Sequence, residues 1–136
     1  MSAQFDIVFS RLRSLLQKQL PEFSVGRDTK DHYSLEAPTG PATVQAWRGK
    51  MKTPVIPVAW VKKTKSYVGF HLTGVYGNPK LLDGCSRELK ARMQGKSCFN
   101  FKIIDEPLFK ELEGLTTLSL QGMKNAGFIA PKKRPG

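Results

Sequence analysis

Apolar positions near the start of the chain recur at three- and four-residue steps. Phe5, Val8, Phe9, Leu12, Leu15, Leu16 and Leu20 form one stripe, the period of an amphipathic helix with one face toward a core. Ser2 suits its N-cap and Asp6 its first turn. Pro21 ends it, because proline has no N–H to continue the ladder. The stripe lacks the dense Lys/Arg polar face of a membrane-surface helix, so it is read as core-facing. The period then falls to two. Ser24–Arg27 is a short strand candidate, and in His32–Ala37 the residues Tyr33, Leu35 and Ala37 alternate with His32, Ser34 and Glu36. Pro38 to Pro41 is a turn, Thr43–Trp47 a further strand, and Arg48–Pro54 a basic loop.

A hairpin gives the clearest pattern. Val55–Lys62 and Ser66–Val75 are β-branched and aromatic runs joined by a Lys63-Thr64-Lys65 turn. Val68, Phe70 and Leu72 share one face of the second run, and Tyr67, Gly69, His71 and Thr73 share the other. Pro57 cannot donate to a ladder, so it marks an edge or a bulge. Beyond Gly77-Asn78-Pro79, a helix is predicted over Ser86–Met93 with Gly95 as its C-cap. A strand follows over Ser97–Ile103, with Phe99, Phe101 and Ile103 on one face and Cys98, Asn100 and Lys102 on the other. Asp105, Glu106 and Pro107 open a last helix with a stripe of Leu108, Leu112, Leu115 and Leu118, and Phe109 alongside. The order predicts an α+β fold, a mostly antiparallel sheet of about five strands with helices packed on one face. Residues 1–130 are expected as one domain and 131–136 as a flexible basic tail.

Composition changes this picture in one respect. The chain has 136 residues, 40% of them hydrophobic, with 22 Lys and Arg against 11 Asp and Glu, a net charge of +11. Twelve of the basic residues and two of the acidic ones fall between Pro41 and Ile104, so that stretch alone carries +10. Such a balance favours encounter with polyanions, although it also simply keeps a protein dispersed. The start of the chain has no basic n-region ahead of an unbroken apolar run, and no apolar run is long enough to cross a bilayer. A cytoplasmic protein without a membrane partner is expected. The two thiols, Cys85 and Cys98, form no disulfide framework.

Each candidate chemistry has a structural counterpart. His32 and His71 are the only histidines and show no metal-ligand spacing, so no metal and no cofactor are expected. Cys85 stands near a helix N-terminus, where a thiol pKa can fall. Cys98 and His71 could share a sheet face as a Cys-His pair, or be an inert thiol and a hydrogen-bonded sheet histidine. Gly95-Lys96-Ser97 has the end of a phosphate loop but a strand after it, not a helix. Trp47, Trp60, Tyr67 and Tyr76 lie among lysines and arginines, and aromatics on a basic sheet can stack bases. No recognised nucleic-acid motif accompanies them.

Three stretches carry a family resemblance: Tyr67-Val68-Gly69-Phe70-His71-Leu72 running into Val75-Tyr76-Gly77-Asn78-Pro79, then Gly95 to Lys102 (GKSCFNFK), then Asp105-Glu106-Pro107-Leu108. With the leading helix they resemble the YdhG-like family of bacterial domains of unknown function, chiefly over residues 53–118. The resemblance implies a curved antiparallel sheet backed by helices. It also implies, for some members, a frataxin-like role as an intracellular iron chaperone. That role needs many exposed carboxylates, and the +10 stretch departs from it.

The reading that results is a non-enzymatic binding or chaperone-type domain. Its expected working surface is the sheet face bearing Trp60, Tyr67, His71, Asn100 and Lys102, where an anionic small molecule or a protein partner would sit. Arg48, Lys50, Lys52, Lys62, Lys63, Lys65 and Lys96 form the expected basic surroundings. A nucleic-acid-binding protein is one alternative and an intracellular iron chaperone, as in some resembling proteins, the other, and a homodimer could instead cover the face.

Overall fold

A computed structural model describes residues 3–20, 22–40 and 55–129. The expected N-cap Ser2, the helix stop Pro21, the Thr43–Trp47 strand, the basic loop with Arg48, Lys50 and Lys52, and the tail at 131–136 lie outside these residues.

Helix α1 spans Ala3–Gln17 and buries Val8, Phe9, Leu12, Leu15 and Leu16, the stripe its spacing dictates. Leu20 falls past the helix end and is partly exposed. Strands β1 (Ser24–Asp28) and β2 (His32–Pro38) form a hairpin, followed by β3 (Val55–Lys63) and β4 (Val68–Leu72). The loop between β3 and β4 is held by Thr64, whose Oγ1 accepts from the N–H groups of Ser66 and Tyr67 and donates to Tyr67 O. A short helix, α2 (Thr73–Gly77), leads through a 3₁₀ turn (Pro79–Gly84) to α3 (Arg87–Lys90). Strands β5 (Met93–Gln94) and β6 (Cys98–Phe101) and the long helix α4 (Glu106–Asn125) complete the chain.

The fold is α+β, with an open sheet in the order β1-β2-β3-β4-β6-β5 and every pairing antiparallel. It has six strands among the described residues, not about five, because Met93–Gln94 folds back on β6. The expected helix over Ser86–Met93 therefore shrinks to Arg87–Lys90. Gly95, with φ of 77°, serves the β5–β6 turn and does not cap a helix.

The expected strand over Ser66–Val75 stops at Leu72. Thr73 Oγ1 donates to Pro57 O at 3.0 Å. Gly74 then packs so close to α4 that any Cβ would lie 2.6 Å from Ser119 O. Tertiary contact thus overrides the β preference of the run. At Pro57 the β2–β3 register shifts, between Leu35 and Glu36, the bulge that proline implied.

One core lies between the sheet and the helices. Tyr33, Leu35, Val61, Phe70, Leu72, Phe99 and Phe101 line its sheet side, and Phe109 of α4 meets Phe101 edge to face at 5.0 Å. Besides Leu20, two residues of the expected stripes are outside it. Ile103 lies beyond the end of β6 and is 57% exposed, and Leu118 is 54% exposed. The buried line of α4 turns instead through Leu115, Ser119 and Met123, steps of four that leave position 118 on the solvent side.

Candidate functional site

The sheet face away from the helices carries the residues that strand alternation put there. Strand register aligns them into rows. In one row Ser34 pairs with Trp60, Trp60 with His71, His71 with Cys98 and Cys98 with Gln94, across five strands. In the next, His32 pairs with Lys62, Lys62 with Gly69 and Gly69 with Asn100. The β1 end of the first row is closed, because Arg27 N donates to Ser34 Oγ at 2.8 Å.

Trp60 and His71 stack with ring centroids 3.9 Å apart and planes 16° from parallel, and both are half-buried. Ser97 Oγ lies 3.2 Å from His71 Nδ1 and 3.3 Å from Nε2, so the ring is held by the tryptophan and the hydroxyl together. Burial pushes the His71 pKa down, which keeps the imidazole neutral. The Cys98 thiol is pushed up by burial and points to Asn100 Oδ1 at 3.5 Å. Register therefore brings Cys98 and His71 side by side, but as a protonated thiol beside a histidine held by Ser97. A catalytic pair needs the thiolate and a free base. Cys85 is likewise pushed up, by burial and then by Glu111, against the lowering its place before α3 suggested. Glu111 accepts from the Ser86 hydroxyl at 2.8 Å and from its N–H, and Ser86 caps the four-residue helix.

Beside the Trp60–His71 stack, Tyr67, Asn100 and Lys102 line a cleft of about 460 Å³ together with Ser66, Arg92 and Gln94. Gly69 forms the floor between cleft and stack. A Cβ built there would lie 3.3–3.4 Å from Asn100 Oδ1, Cys98 Sγ and Tyr67 Cε1, so all three neighbours crowd the same side of the sheet. All five expected ligand residues thus share one face, Tyr67, Asn100 and Lys102 in the cleft and Trp60 and His71 next to it. Arg92, Gln94 and Ser97 are additions. Asn100 N donates to Arg92 O at 2.8 Å, which holds Arg92 at the cleft. Nothing in the periodicity signals these positions, since two residues of β5 are too few to show alternation.

The ion pairs gather on the helix side of the sheet, while Glu36 lies beside Ser34 on the other face, at its β1–β2 end. Asp6, Glu22, Asp28, Glu106 and Glu113 pair with Lys63, Lys124, Arg13, Arg11 and Lys18 respectively, each pair including a residue of α1 or α4. Arg11 grips Glu106 with two nitrogens at 2.8–3.2 Å; this bond holds the Glu106 pKa down. Asp105 caps α4 by accepting from Leu108 N at 3.2 Å. Lys63 is therefore a correction: its ammonium turns to Asp6 on the helix side and leaves the expected basic surface. Lys62, Arg92 and Lys102 make no ion pair among the described residues. The His32 pKa is lowered by burial and then by Arg27 and Lys62, which records the positive potential at that corner. Lys65 is exposed in the β3–β4 loop, and Lys96 sits 5.9 Å over the Tyr76 ring in the turn before β6.

Among the described residues no three His, Cys, Asp or Glu side chains stand together as metal ligands. No described helix is long and apolar enough to cross a membrane. Comparison of the chain with protein-family models, with curated proteins and with solved structures finds no match.

Proposed function

We propose that this chain is a non-enzymatic binding domain whose open sheet face holds an anionic ligand or partner. The observation that carries the reading is the pair of cations, Arg92 and Lys102, that line one cleft without a carboxylate among its lining residues. Carboxylates on the helix side are committed to ion pairs and caps. Among the described residues Arg92 and Lys102 stand without ion pairs at a cleft that offers Asn100 and Gln94 as hydrogen-bonding amides, and Lys62, also without one, lies on β3 beside Gly69. Cations without carboxylate partners beside donor groups are what an anion needs on leaving water. Burial pushes the Cys98 thiol up, which favours its protonated form on this face.

Membership of the YdhG-like family belongs to the same proposal and rests on the motifs at 67–79, 95–102 and 105–108. A cytoplasmic setting fits the two free thiols. The iron role of some family members is not part of it, because residues 41–104 carry +10 and repel a free cation.

Inorganic tripolyphosphate at low ionic strength is the simplest probe. Amide chemical shifts of Arg92, Gln94, Asn100 and Lys102 should move on titration, and Arg92→Gln with Lys102→Gln should abolish the movement. Shifts confined to α1 and α4, or none at all, would sink the proposal.

A further inference from the structure

We propose that the anion taken by this face is single-stranded nucleic acid, its bases stacked on the Trp60–His71 pair and on Tyr67 and its phosphates along Lys62, Arg92 and Lys102. The inference rests on the anion-binding reading above and narrows it. A phosphate or a carboxylate ligand needs cations and N–H donors only. This face adds aromatic surface, and the rings are placed where an anion site alone has no use for them. Trp60 and His71 are already stacked at 3.9 Å and remain half-buried, so the pair is a preformed flat group with part of its π surface open to solvent. Tyr67 stands on the same face, four residues before His71 along the chain. At the rise of an extended chain that is about 13 Å, farther than one base reaches.

Between the two aromatic positions the Asn100, Cys98 and Tyr67 side chains border the Gly69 backbone, each 3.3–3.4 Å from where a Cβ would lie. Gly69 adds no side chain of its own, so the Tyr67 ring lies over its backbone on the side of the sheet that carries Asn100. Asn100 and Gln94 carry both donor and acceptor atoms there, the groups that read base edges. Lys62 borders Gly69 on the β3 side, and Arg92 and Lys102 lie on the β6 side. Stacking on a flat sheet requires bases free of a duplex. A duplex reader would instead present a basic helix to the major groove. Here Arg11 and Arg13 of α1, and Lys18 just past its end, are tied to carboxylates. Charge and stacking surface together therefore select an unpaired strand.

The test uses the full chain, fluorescein-labelled oligo(U) and oligo(dT), the matching duplex, tripolyphosphate and polyglutamate. Anisotropy should show single strands bound more tightly than duplex. The logarithm of the binding constant should fall with the logarithm of salt at a slope of about −2, for three phosphates neutralised. Tyr67→Ala should weaken oligo(U) about tenfold, the loss of one stacked base, with tripolyphosphate binding unchanged. Arg92→Gln with Lys102→Gln should weaken both ligands and reduce the slope by about 1.4. In a Trp47→Phe background Trp60 is the sole tryptophan, and its fluorescence should be quenched by oligonucleotide and not by tripolyphosphate. That readout needs no destabilising change at the stack.

Tripolyphosphate binding with oligonucleotides indifferent to Tyr67→Ala would overturn the inference and leave the anion reading standing. Duplex or polyglutamate bound as tightly as oligo(U) would overturn it in the same way. So would a dimer in light scattering that oligonucleotide fails to dissociate. Binding of none of these anions would remove both readings together.

Discussion

His71 combines three constraints at one position: a tryptophan ring against its face, the Ser97 hydroxyl against its nitrogens, and burial that favours the neutral form. The unfolded chain takes up a proton near the ordinary histidine value of about 6.5, whereas the folded ring resists it. Over that window the unfolded state binds more protons, so stability is full above about pH 6.5 and declines as pH falls toward the lowered folded value. His32, also lowered, adds to the same slope. A melting series from neutral to mildly acid pH should show the decline, and His71→Phe, which keeps an aromatic stack but does not titrate, should make it shallower. An unchanged slope would mean the ring is not desolvated as described. Cys98 makes a companion case. With its thiol pushed up by burial, it should react with a neutral-pH alkylating reagent more slowly than a free thiol does in the unfolded chain, which mass spectrometry after timed quenching measures.

At the scale of elements, α4 shows how position decides the cost of the same substitution. Gly74 of α2 approaches the backbone of α4 too closely for any side chain. Gly74→Ala should therefore cost about 1–3 kcal/mol by overpacking. Gly114 lies within α4, and a Cβ added there would meet nothing within 4 Å. Gly114→Ala should thus gain up to about 1 kcal/mol from helix propensity. Asp105→Ala removes the α4 cap and should cost about 1 kcal/mol. Denaturant midpoints with unchanged slopes would report all three.

The helices α1 and α4 were legible because a buried stripe repeats over fifteen or more residues. The faces of β2, β3, β4 and β6 were legible from strict alternation, and with them Trp60, Tyr67, His71 and Asn100. The switch from β4 to α2 was not. Thr73 and Val75 prefer strands, and the helix there depends on the contact of Gly74 with Ser119 of α4, distant in the chain. Arg92 and Gln94 stayed hidden for a related reason, since β5 exists only by pairing with β6. Lys63 shows the converse limit: its place in a basic run said nothing of Asp6 on the helix side.

Among the described residues the sheet has one side packed against helices and no element packed on the other. Protection should therefore grade across it. Amides of β3 and β4, paired on both sides and backed by the core, should exchange with solvent most slowly. Those of β1, exposed along its length, and of the two-residue β5 should exchange fastest. Slow exchange at β1 in the free protein would mean that something covers that rim.

The rim itself has a further consequence. Beyond β1 no described strand continues the sheet, yet its register breaks between Val25 and Asp28, and Arg27 and Asp28 put opposite charges on so short an edge. Asp28 is also drawn toward Arg13 of α1 at 2.9 Å. A second molecule laid along this edge would find no even ladder to extend and would have to desolvate charge to try. Native copies are thus discouraged from zipping together side by side, and precipitation in a concentrated solution should start from unfolded chains rather than from folded ones.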